Sequence, residues 1–311
     1  MMKAVDLFAG AGGSTTGALA AGVEVLFAAN HWQIAVDTHA MNHTSTSHVC
    51  QDLTLFPSCQ IPDHDILLAS PSCKGFSPAR GKDQAHHDKH RATAWCVIDA
   101  IDAKQPKFAV IENVPDMRKW RLYPMWLDCL HAMGYSTQEL ILDSADFGVP
   151  QERKRLFVVA NRGKHCIDLE FPEIERVPVS TVLDWSAGRW SKIAGTAKKP
   201  RAQATLNRIA QAERDGFGDR FIMPYYGSGS GKTGRSLDRP IGTITTVSGW
   251  ALVDRNRDCM RMLSVDEAKQ CMGFPSDYLL PNHVKNSNML LGNAVCPPVM
   301  TGILNAIQES A

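Results

Sequence analysis

Short apolar, β-branched runs alternate with longer amphipathic segments over the first 160 residues of the chain. The apolar runs predict five strands, at Ala4–Phe8, Val23–Ala28, Asp65–Ala69, Phe108–Ile111 and Leu156–Ala160. The amphipathic segments predict four helices, at Thr15–Ala21, Ile34–Met41, Ala92–Ala103 and Met125–Met133. Continuous apolar strands that alternate with helices are typical of a sheet covered on both faces. We therefore predict an α/β fold with a doubly wound, mostly parallel sheet, whose ligands bind at the carboxyl ends of the strands.

The alternation stops near Phe171, where the chain becomes rich in Gly, Pro, Ser and Arg. Regular patterns return at Ile241–Val247, at the helix-like Ser264–Met272 and in a last helix from Pro298. This predicts a catalytic domain over residues 1–171, an insertion over 172–240, and a segment over 241–311 that returns to the catalytic domain.

Composition and charge are those of an ordinary globular protein, with 44% hydrophobic and 21% charged residues and a net charge of +1. The charge is unevenly distributed, because Ser186 to Arg239 contains 11 Lys and Arg against 4 Asp and Glu, a local excess of +7. Local basicity suits a face that binds phosphates, although a solvated surface has the same composition. The N-terminal stretch has no apolar run typical of a signal peptide or membrane helix, so we expect a cytoplasmic location without membrane contact. Nine cysteines without a C-x-x-C pair favour free thiols over a disulfide framework or a closed zinc site.

Two glycine-rich segments invite a nucleotide-binding interpretation. The turn from Asp6 to Gly13 follows the first strand, but Thr15 occupies the third glycine position of the dinucleotide pattern, so this turn is weak evidence by itself. The segment Gly227–Thr233 resembles a phosphate-binding loop, yet Tyr226 stands at the required first glycine. Because it neither follows a clear strand nor opens a helix, we exclude a nucleotide triphosphatase.

A cysteine lies where the third predicted strand ends. Pro71 and Pro78 restrict the turn that presents Cys73, and Lys74 beside it would favour the nucleophilic thiolate. A lone cysteine of this kind is more often a buried structural residue, so further signals are needed.

Three other segments supply them. Glu112 ends another predicted strand, and Gln151, Arg153 and Arg155 lead into the last strand with their side chains on one face. The segment from Leu291 to Val295 predicts a further glycine turn before the last helix. Each alone could be a helix cap or a surface salt bridge, but their order on a doubly wound pattern indicates a common site.

Seven motifs follow one another along the chain: DLFAGAGG, DHDILLASPSCKGFS, AVIENV, DFGVPQERKRLF, RSLDRPIGTIT, RMLSVDEAKQCMGFP and LLGNAVCPPV. In this order they resemble the DNA cytosine-C5 methyltransferases over nearly the whole chain outside the insertion, and the compact chain is similar to the bacterial or phage-borne enzymes. The resemblance implies a Rossmann-like sheet that binds S-adenosylmethionine, with S-adenosylhomocysteine as the product. It also implies that the insertion is a small target-recognition domain and that the substrate is cytosine in duplex DNA.

The resemblance assigns roles to four residues. Cys73 would add to carbon 6 of the base, because carbon 5 is otherwise too weak a nucleophile to accept a methyl group. Glu112 would protonate or hydrogen-bond N3, a role for which burial must raise the pKa of its carboxyl. Arg155, with Arg153 nearby, would hold the carbonyl oxygen of the base. The base would have to be flipped out of the duplex to reach them.

The resemblance also implies a cofactor pocket. Its glycine turn would hold the methionine part, Trp32 would stack near the adenine, and residues from the far end of the chain would close it. The full set is Phe8, Ala9, Gly10, Ala11, Gly13, His31, Trp32, Asp52, Leu53, Ser70, Asn293 and Val295.

Three features depart from the family pattern. His31 replaces the usual acidic residue at the cofactor ribose, Ser72-Cys73-Lys74 replaces the usual Pro-Cys-Gln, and the insertion is short, which favours a small recognition site or relaxed specificity. His86, His87 and His90 could suggest a metal site. We predict no metal, because a basic loop over Lys74–Arg91 that closes over DNA explains them without one.

Other functions remain compatible with parts of the pattern. An RNA cytosine methyltransferase could use the same scaffold, and a catalytically silent DNA-binding protein could retain the fold. A small-molecule methyltransferase would need neither the cysteine nor the basic insertion. We expect a monomer, with or without a cognate restriction endonuclease.

Overall fold

The computed structural model describes residues 1–76, 86–163, 165, 167–225 and 231–310, and only the backbone of residues 86–89. Its strands and helices follow in this order: β1 (Lys3–Leu7), α1 (Gly13–Ala20), β2 (Glu24–Asn30), α2 (Gln33–Asn42), β3 (Ser47–Cys50), β4 (Ile66–Ala69), α3 (His86–Lys104), β5 (Phe108–Asn113), α4 (Tyr123–Ala132), β6 (Tyr135–Asp143), β7 (Lys154–Arg162), β8 (Ser191–Lys192), β9 (Gly195–Thr196), β10 (Lys199–Pro200), α5 (Gln203–Arg214), β11 (Arg220–Pro224), β12 (Trp250–Asp254), β13 (Cys259–Met262), α6 (Val265–Cys271), α7 (Val284–Asn293) and α8 (Pro297–Ser310).

The chain divides into two compact units. The first contains Met1–Asp143, Lys154–Glu173 and Ala294–Ala311, and the second contains Ser144–Arg153 and Ile174–Asn293. The sequence predicted a return to the first domain at residue 241. In the structure residues 241–293 belong to the second unit, and only the segment with α8 returns.

The first unit is built on a seven-stranded sheet in the order β3-β2-β1-β4-β5-β7-β6. The neighbours from β3 to β5 pair in parallel, whereas β7 is antiparallel to both β5 and β6. This confirms the predicted mostly parallel α/β sheet. Val5 and Leu7 of β1 belong to a buried cluster that includes residues of α3 and α4, and the alternate residues Ala4 and Asp6 are buried as well. Both faces of the sheet are therefore covered, which explains the continuous apolar strands.

Helix α8 packs on α1 through a glycine. A Cβ atom on Gly17 would lie 2.5 Å from the Pro297 carbonyl oxygen and 2.7 Å from the Met300 Cβ. Thr301 also donates a hydrogen bond to the Gly17 carbonyl. Only glycine permits this close approach, so the first and last segments of the first unit are joined there.

The second unit has an antiparallel sheet in the order β11-β12-β13-β8 and a separate two-stranded hairpin, β9-β10. Its core joins α5 to the sheet through the residues Ile209, Ala212, Phe221, Met223, Ala251, Val253 and Met260. Helix α6 begins with a capping box between Ser264 and Glu267. The helix predicted at Ser264–Met272 is thus confirmed.

The structure confirms the five predicted strands and the four predicted helices of the first 160 residues, with ends shifted by a few residues. It adds the strands β3 and β6, and it adds α5 within the stretch that we predicted to be irregular. The glycine turn predicted at Leu291–Val295 is wrong, because residues up to Asn293 continue α7. Gly292 serves another purpose there, since its Cα packs directly on the backbone of Thr245 and Thr246. The predicted ordered segment Ile241–Val247 forms no strand of its own and contributes one isolated bridge, between Gln151 and Ile241.

The segment Val284–Ser310 is long and apolar enough to cross a membrane by length and composition. In the structure 72% of its most apolar window is buried, and it consists of the two helices α7 and α8. The core helices of folded proteins meet the same criterion, so this segment gives only weak evidence for a membrane span.

Candidate active site

The turn after β1 has an unusual backbone. Phe8 has a φ of 61°, which side-chain-bearing residues rarely adopt, and Gly10 and Gly12 also have positive φ values. The Gly12 N–H donates to the Ala9 carbonyl and so closes the turn at the start of α1. A Cβ atom on Gly10 would meet only the Phe8 carbonyl oxygen, at 3.8 Å, which leaves open space over the turn. Strained backbone of this kind is concentrated at functional sites.

The other predicted cofactor residues of the first unit lie at the same edge of the sheet. His31 and Trp32 follow β2, Asp52 and Leu53 follow β3, and Ser70 follows β4. The Asn30 side chain accepts a hydrogen bond from the Trp32 N–H at 3.0 Å and so orients the start of α2. His31 is exposed, Trp32 and Asp52 are half-buried, and Leu53 is buried. Because β3, β2, β1 and β4 are parallel neighbours, their carboxyl ends form one continuous rim that fits an elongated ligand.

The last two predicted cofactor residues, Asn293 and Val295, come from the C-terminal part of the chain. Asn293 is the exposed last residue of α7 in the second unit, and Val295 is buried in the first unit, just before α8. Their predicted part in closing the cofactor pocket stays a prediction.

Cys73 begins a single 3-10 turn directly after β4 and is half-buried. Helix α3 holds this turn, because Thr93 Oγ1 accepts from the Ser72 N–H at 3.0 Å and Arg91 donates to the Gly75 carbonyl at 3.2 Å. The Ser72 hydroxyl also lies 3.3 Å from His90 Nδ1. The sequence did not single out these α3 contacts. Proline at residue 72 could not donate to Thr93, so the serine gives this chain a hydrogen bond that the usual motif lacks.

The end of β5 holds the same turn from another direction. The Asn113 side-chain amide donates to the Pro71 carbonyl at 3.0 Å. Glu112 precedes this asparagine, and Arg155 reaches it from the antiparallel neighbour β7, with Nε 3.1 Å from Oε1 of the carboxylate. The Glu112 and Arg155 side chains are 9% and 17% exposed, so the ion pair is well shielded from water. The structure therefore gathers Cys73, Glu112 and Arg155 at the carboxyl ends of two adjacent strands.

Arg153 makes contacts of its own. It belongs to the second unit, is 3% exposed, and donates to the carbonyl oxygens of Ile244 at 3.0 Å and Gly292 at 2.8 Å. Gln151 is buried beside it and accepts from the Ile244 N–H at 2.6 Å. The Arg153 guanidinium thus holds backbone within the second unit, and its predicted part beside Arg155 at the base stays a prediction.

Beneath the glycine turn, a buried chain of hydrogen bonds runs outward from Asp6. Thr15 donates to the Asp6 carboxylate at 2.8 Å, and His39 Nε2 lies 3.0 Å from the same threonine hydroxyl. His39 Nδ1 in turn lies 2.8 Å from His48 Nε2. With Asp6 ionised, each donor in this chain points toward the carboxylate. His43 stacks against His39 with ring centroids 4.6 Å apart.

Burial is the main cause of the pKa shifts in this chain of hydrogen bonds. It raises the pKa of Asp6 to about 7, although the Thr15 hydrogen bond acts against the rise. It lowers the pKa of His39 to about 2 and that of His43 to about 4, with the neighbouring histidines adding to the effect. The histidines are therefore neutral near pH 7, whereas Asp6 can change its charge there.

The second unit contains a cavity of about 570 Å³ at one end of β11 and β12. Its lining includes Lys232, Arg235, Thr243, Thr245 and Trp250. The Arg235 guanidinium lies over the Trp250 ring, 5.5 Å from its centroid, and pairs with Glu152 at 3.2 Å. Two cations, several hydroxyls and an aromatic ring suit a polar, negatively charged ligand.

Several predicted features lie outside the described residues. These are residues 77–85 of the basic loop predicted over Lys74–Arg91, the side chains of His86 and His87, and residues 227–230 of the segment Gly227–Thr233. The loop prediction is wrong from His86 onward, because α3 begins there. Over the part of the chain that the structure describes, no group of three His, Cys, Asp or Glu side chains is arranged to hold a metal ion.

A family model described as "C-5 cytosine-specific DNA methylase" matches residues 2–309. The chain belongs to this family. The type II methyltransferase M.NlaX of Neisseria lactamica is 28% identical over 317 residues, which cover 100% of this chain and 97% of the relative. The type II methyltransferase M.MthTI of Methanothermobacter thermautotrophicus is 31% identical and covers 94% of this chain and 93% of its own length.

Solved structures agree with the fold of this methylase. A DNMT2 mutant of Spodoptera frugiperda matches with a TM-score of 0.73 at 18% identity, covering 99% of this chain and 100% of that one. The family membership makes the protein an S-adenosylmethionine-dependent DNA cytosine-5-methyltransferase.

Proposed function

We propose that this methylase modifies a cytosine flipped out of duplex DNA and that Cys73 forms a transient covalent bond to carbon 6 of the base. The observation that carries the proposal is the Cys73 turn, which is held by α3 and by the end of β5 next to the Glu112–Arg155 pair. Such a clamp fixes a nucleophile beside an acid and a cation, the three groups that the addition needs.

The electrons then move as follows. The Cys73 thiolate forms a bond to carbon 6. The electron pair of the 5,6 double bond moves to the bond between carbons 4 and 5, and the pair of the double bond between carbon 4 and N3 moves to N3, so that carbon 5 becomes the nucleophilic carbon of an enamine. Glu112 supplies a proton or hydrogen bond at N3, and Arg155 stabilises charge at the carbonyl oxygen. S-adenosylmethionine supplies the methyl group when bound. A base then removes the proton of carbon 5, N3 gives back to Glu112 any proton it took, the 5,6 double bond re-forms, and Cys73 leaves as the thiolate.

The rim of the first unit would hold the cofactor. The open, strained turn of Phe8, Ala9, Gly10, Ala11 and Gly13 would receive its methionine part. Trp32 would stack near the adenine, His31 would hydrogen-bond a ribose hydroxyl, and Asp52, Leu53 and Ser70 would complete the rim. Asn293 and Val295 would close the pocket.

The second unit would recognise the DNA, and the cavity beside Arg235 and Trp250 is its candidate contact with a nucleotide. An RNA substrate and a silent binder are the competing functions; transfer RNA as the preferred methyl acceptor would favour the first. The predicted monomer, the cytoplasmic location and a cognate endonuclease are proposals of the same kind, and the relatives named above are type II methyltransferases.

Trapping tests the covalent step. With a fluorine at carbon 5 the base has no proton to lose there, so the adduct should persist after methyl transfer. We expect wild-type protein and Cys59→Ala, an exposed-cysteine control, to form a denaturation-resistant complex with duplex DNA that contains 5-fluorocytosine. Cys73→Ala should form none, and an equal yield from Cys73→Ala would contradict the proposal.

A further inference from the structure

One stretch of the second unit carries cations without accompanying acids. From Trp185 to Ala212 the chain has six basic residues and no acidic one. Four of them are exposed and lie on or beside β8 and the β9-β10 hairpin: Arg189, Lys192, Lys198 and Lys199. We name residues 189–201 the basic hairpin.

These cations differ from others on the same unit. Arg176 pairs with Asp146 at 2.7 Å, and Arg255 pairs with Glu213 at 2.7 Å. Within the described ranges, no carboxylate lies within ion-pair distance of the four exposed cations of the basic hairpin. Their charge is therefore available to a ligand.

The basic hairpin is held in one shape by its own contacts. Gly195 has a φ of 81°, and a Cβ atom there would lie 2.6 Å from the Lys199 carbonyl oxygen. The Arg201 guanidinium donates to the Ser191 hydroxyl at 2.9 Å and to the Lys192 and Ile193 carbonyls at 3.1 and 3.3 Å. A pre-organised segment loses less conformational entropy when it binds.

A pair of stacked tryptophans and a backbone hydrogen bond anchor the basic hairpin to the sheet. Trp185 and Trp190 stack with ring centroids 5.8 Å apart, the Arg220 guanidinium lies over the Trp185 ring, and the Arg257 guanidinium lies over the Trp190 ring. The Ile193 N–H donates to the backbone carbonyl of Asp258. The cations therefore project from a rigid support.

The basic hairpin and the cavity occupy opposite corners of the same sheet. The cavity lies where Pro224 pairs with Trp250, whereas β8 pairs with Cys259 at the other end and the other edge. Three strand spacings across and four residues along a strand separate them by about 20 Å. That distance corresponds to about six base pairs of duplex DNA.

We propose that the basic hairpin binds backbone phosphates of duplex DNA about six base pairs from the nucleotides at the cavity. This inference rests on the proposed recognition role of the second unit and adds a second, sequence-independent contact to it. The hairpin would set affinity and orientation, whereas the cavity would carry base contacts.

The salt dependence of DNA binding tests this contact in the full-length protein. Each phosphate contact contributes about 0.9 to the slope of log affinity against log salt. Lys198→Gln with Lys199→Gln should therefore lower the slope by about 1.8, so that between 50 and 200 mM salt the wild-type affinity falls about 12-fold more than that of the variant. The matched control is Lys3→Gln with Lys107→Gln. It removes two exposed charges from the first unit, at the amino ends of β1 and β5. Lys198→Arg with Lys199→Arg should preserve the slope.

Methyl transfer measured in the same samples separates this inference from the proposed function. With saturating DNA the Lys198→Gln, Lys199→Gln variant should keep kcat and show a raised KM for duplexes that extend beyond the cavity's reach. An unchanged slope in an active enzyme would overturn the hairpin contact and leave the function standing. A reduced slope in a protein that methylates no DNA would support the contact and contradict the function. Lysine-dependent binding to structured RNA with no such dependence on duplex DNA would overturn the proposal.

Discussion

Replacing Asp6 with asparagine removes a titratable charge from the interior of the first unit with little change in shape. Asp6 is fully buried, one carboxylate oxygen accepts from Thr15 at 2.8 Å, and the other has no hydrogen-bond partner among the described residues. The asparagine oxygen can accept the same threonine hydrogen bond. The main difference between the two proteins is therefore the ionisation of residue 6.

The size of the effect follows from the pKa of Asp6, which burial raises from 3.8 to about 7. Between these values the native state holds a proton that the unfolded state has lost, so the free energy of unfolding falls as pH rises, by about 1.4 kcal/mol per unit. From pH 5 to pH 8, just above the native pKa, the wild type should lose about 3 kcal/mol relative to Asp6→Asn. The lowered pKa values of His39 and His43 act in the opposite direction, since their contribution is lost as pH falls below 6.5. Both proteins contain these histidines, so the comparison isolates Asp6.

Guanidinium unfolding of both proteins at pH 5 and pH 8 measures the difference. The control is Asp102→Asn, because Asp102 is exposed and its replacement should give the same difference from wild type at both pH values. If the difference in unfolding free energy between Asp6→Asn and wild type is the same at pH 5 and pH 8, Asp6 does not titrate between these pH values and burial does not raise its pKa as described.

Three further changes test other contacts. Thr93→Val leaves the Ser72 N–H without its hydrogen-bond acceptor and should destabilise the protein by about 1–3 kcal/mol. In a Ser72→Pro background, which has no such donor, the same change should cost less in a double-mutant cycle measured by thermal unfolding. Arg153→Met leaves two buried carbonyls without their donor and should cost about 3 kcal/mol in guanidinium unfolding; a neutral result would return Arg153 to the list of free functional cations. Glu112→Gln should lower kcat by about 100-fold or more with the KM for DNA within a few-fold of wild type, and an unchanged kcat would exclude the proposed role at N3.

The strands β1, β2, β4, β5 and β7 were predictable because each is a continuous apolar run, the pattern that a doubly covered sheet requires. The sequence pattern did not predict β6, because it is an edge strand whose middle residues are partly exposed and include Gln138 and Glu139. Helix α5 was missed although its sequence is amphipathic, because it lies in a stretch rich in Gly, Pro, Ser and Arg and its buried positions include the polar residues Thr205 and Arg208. Arg208 is buried because its guanidinium donates to the Pro224 carbonyl, a contact made by tertiary folding.

In the candidate site, too, some positions were predictable from the sequence and others were not. Cys73 follows β4 and Glu112 lies at the end of β5, so their position at the carboxyl edge of the sheet follows from the order of elements along the chain. Arg153 and Arg155 are two residues apart, and an extended strand predicts a common environment for them. In the structure the compact units divide between them, at Lys154, a boundary that the local pattern does not contain. The chain from Asp6 to His48 also depends on folding, because only the pairing of β1, β2 and β3 brings its members together.

The central claim is that Cys73 drives methylation of cytosine carbon 5 in DNA. The most direct test measures transfer of labelled methyl from S-adenosylmethionine to duplex DNA by wild type, Cys73→Ala and Cys59→Ala, followed by bisulfite mapping of the product. The account predicts label at cytosine carbon 5 with wild type and with Cys59→Ala, and none with Cys73→Ala. Equal methylation by Cys73→Ala, or label on RNA with none on DNA, would contradict it.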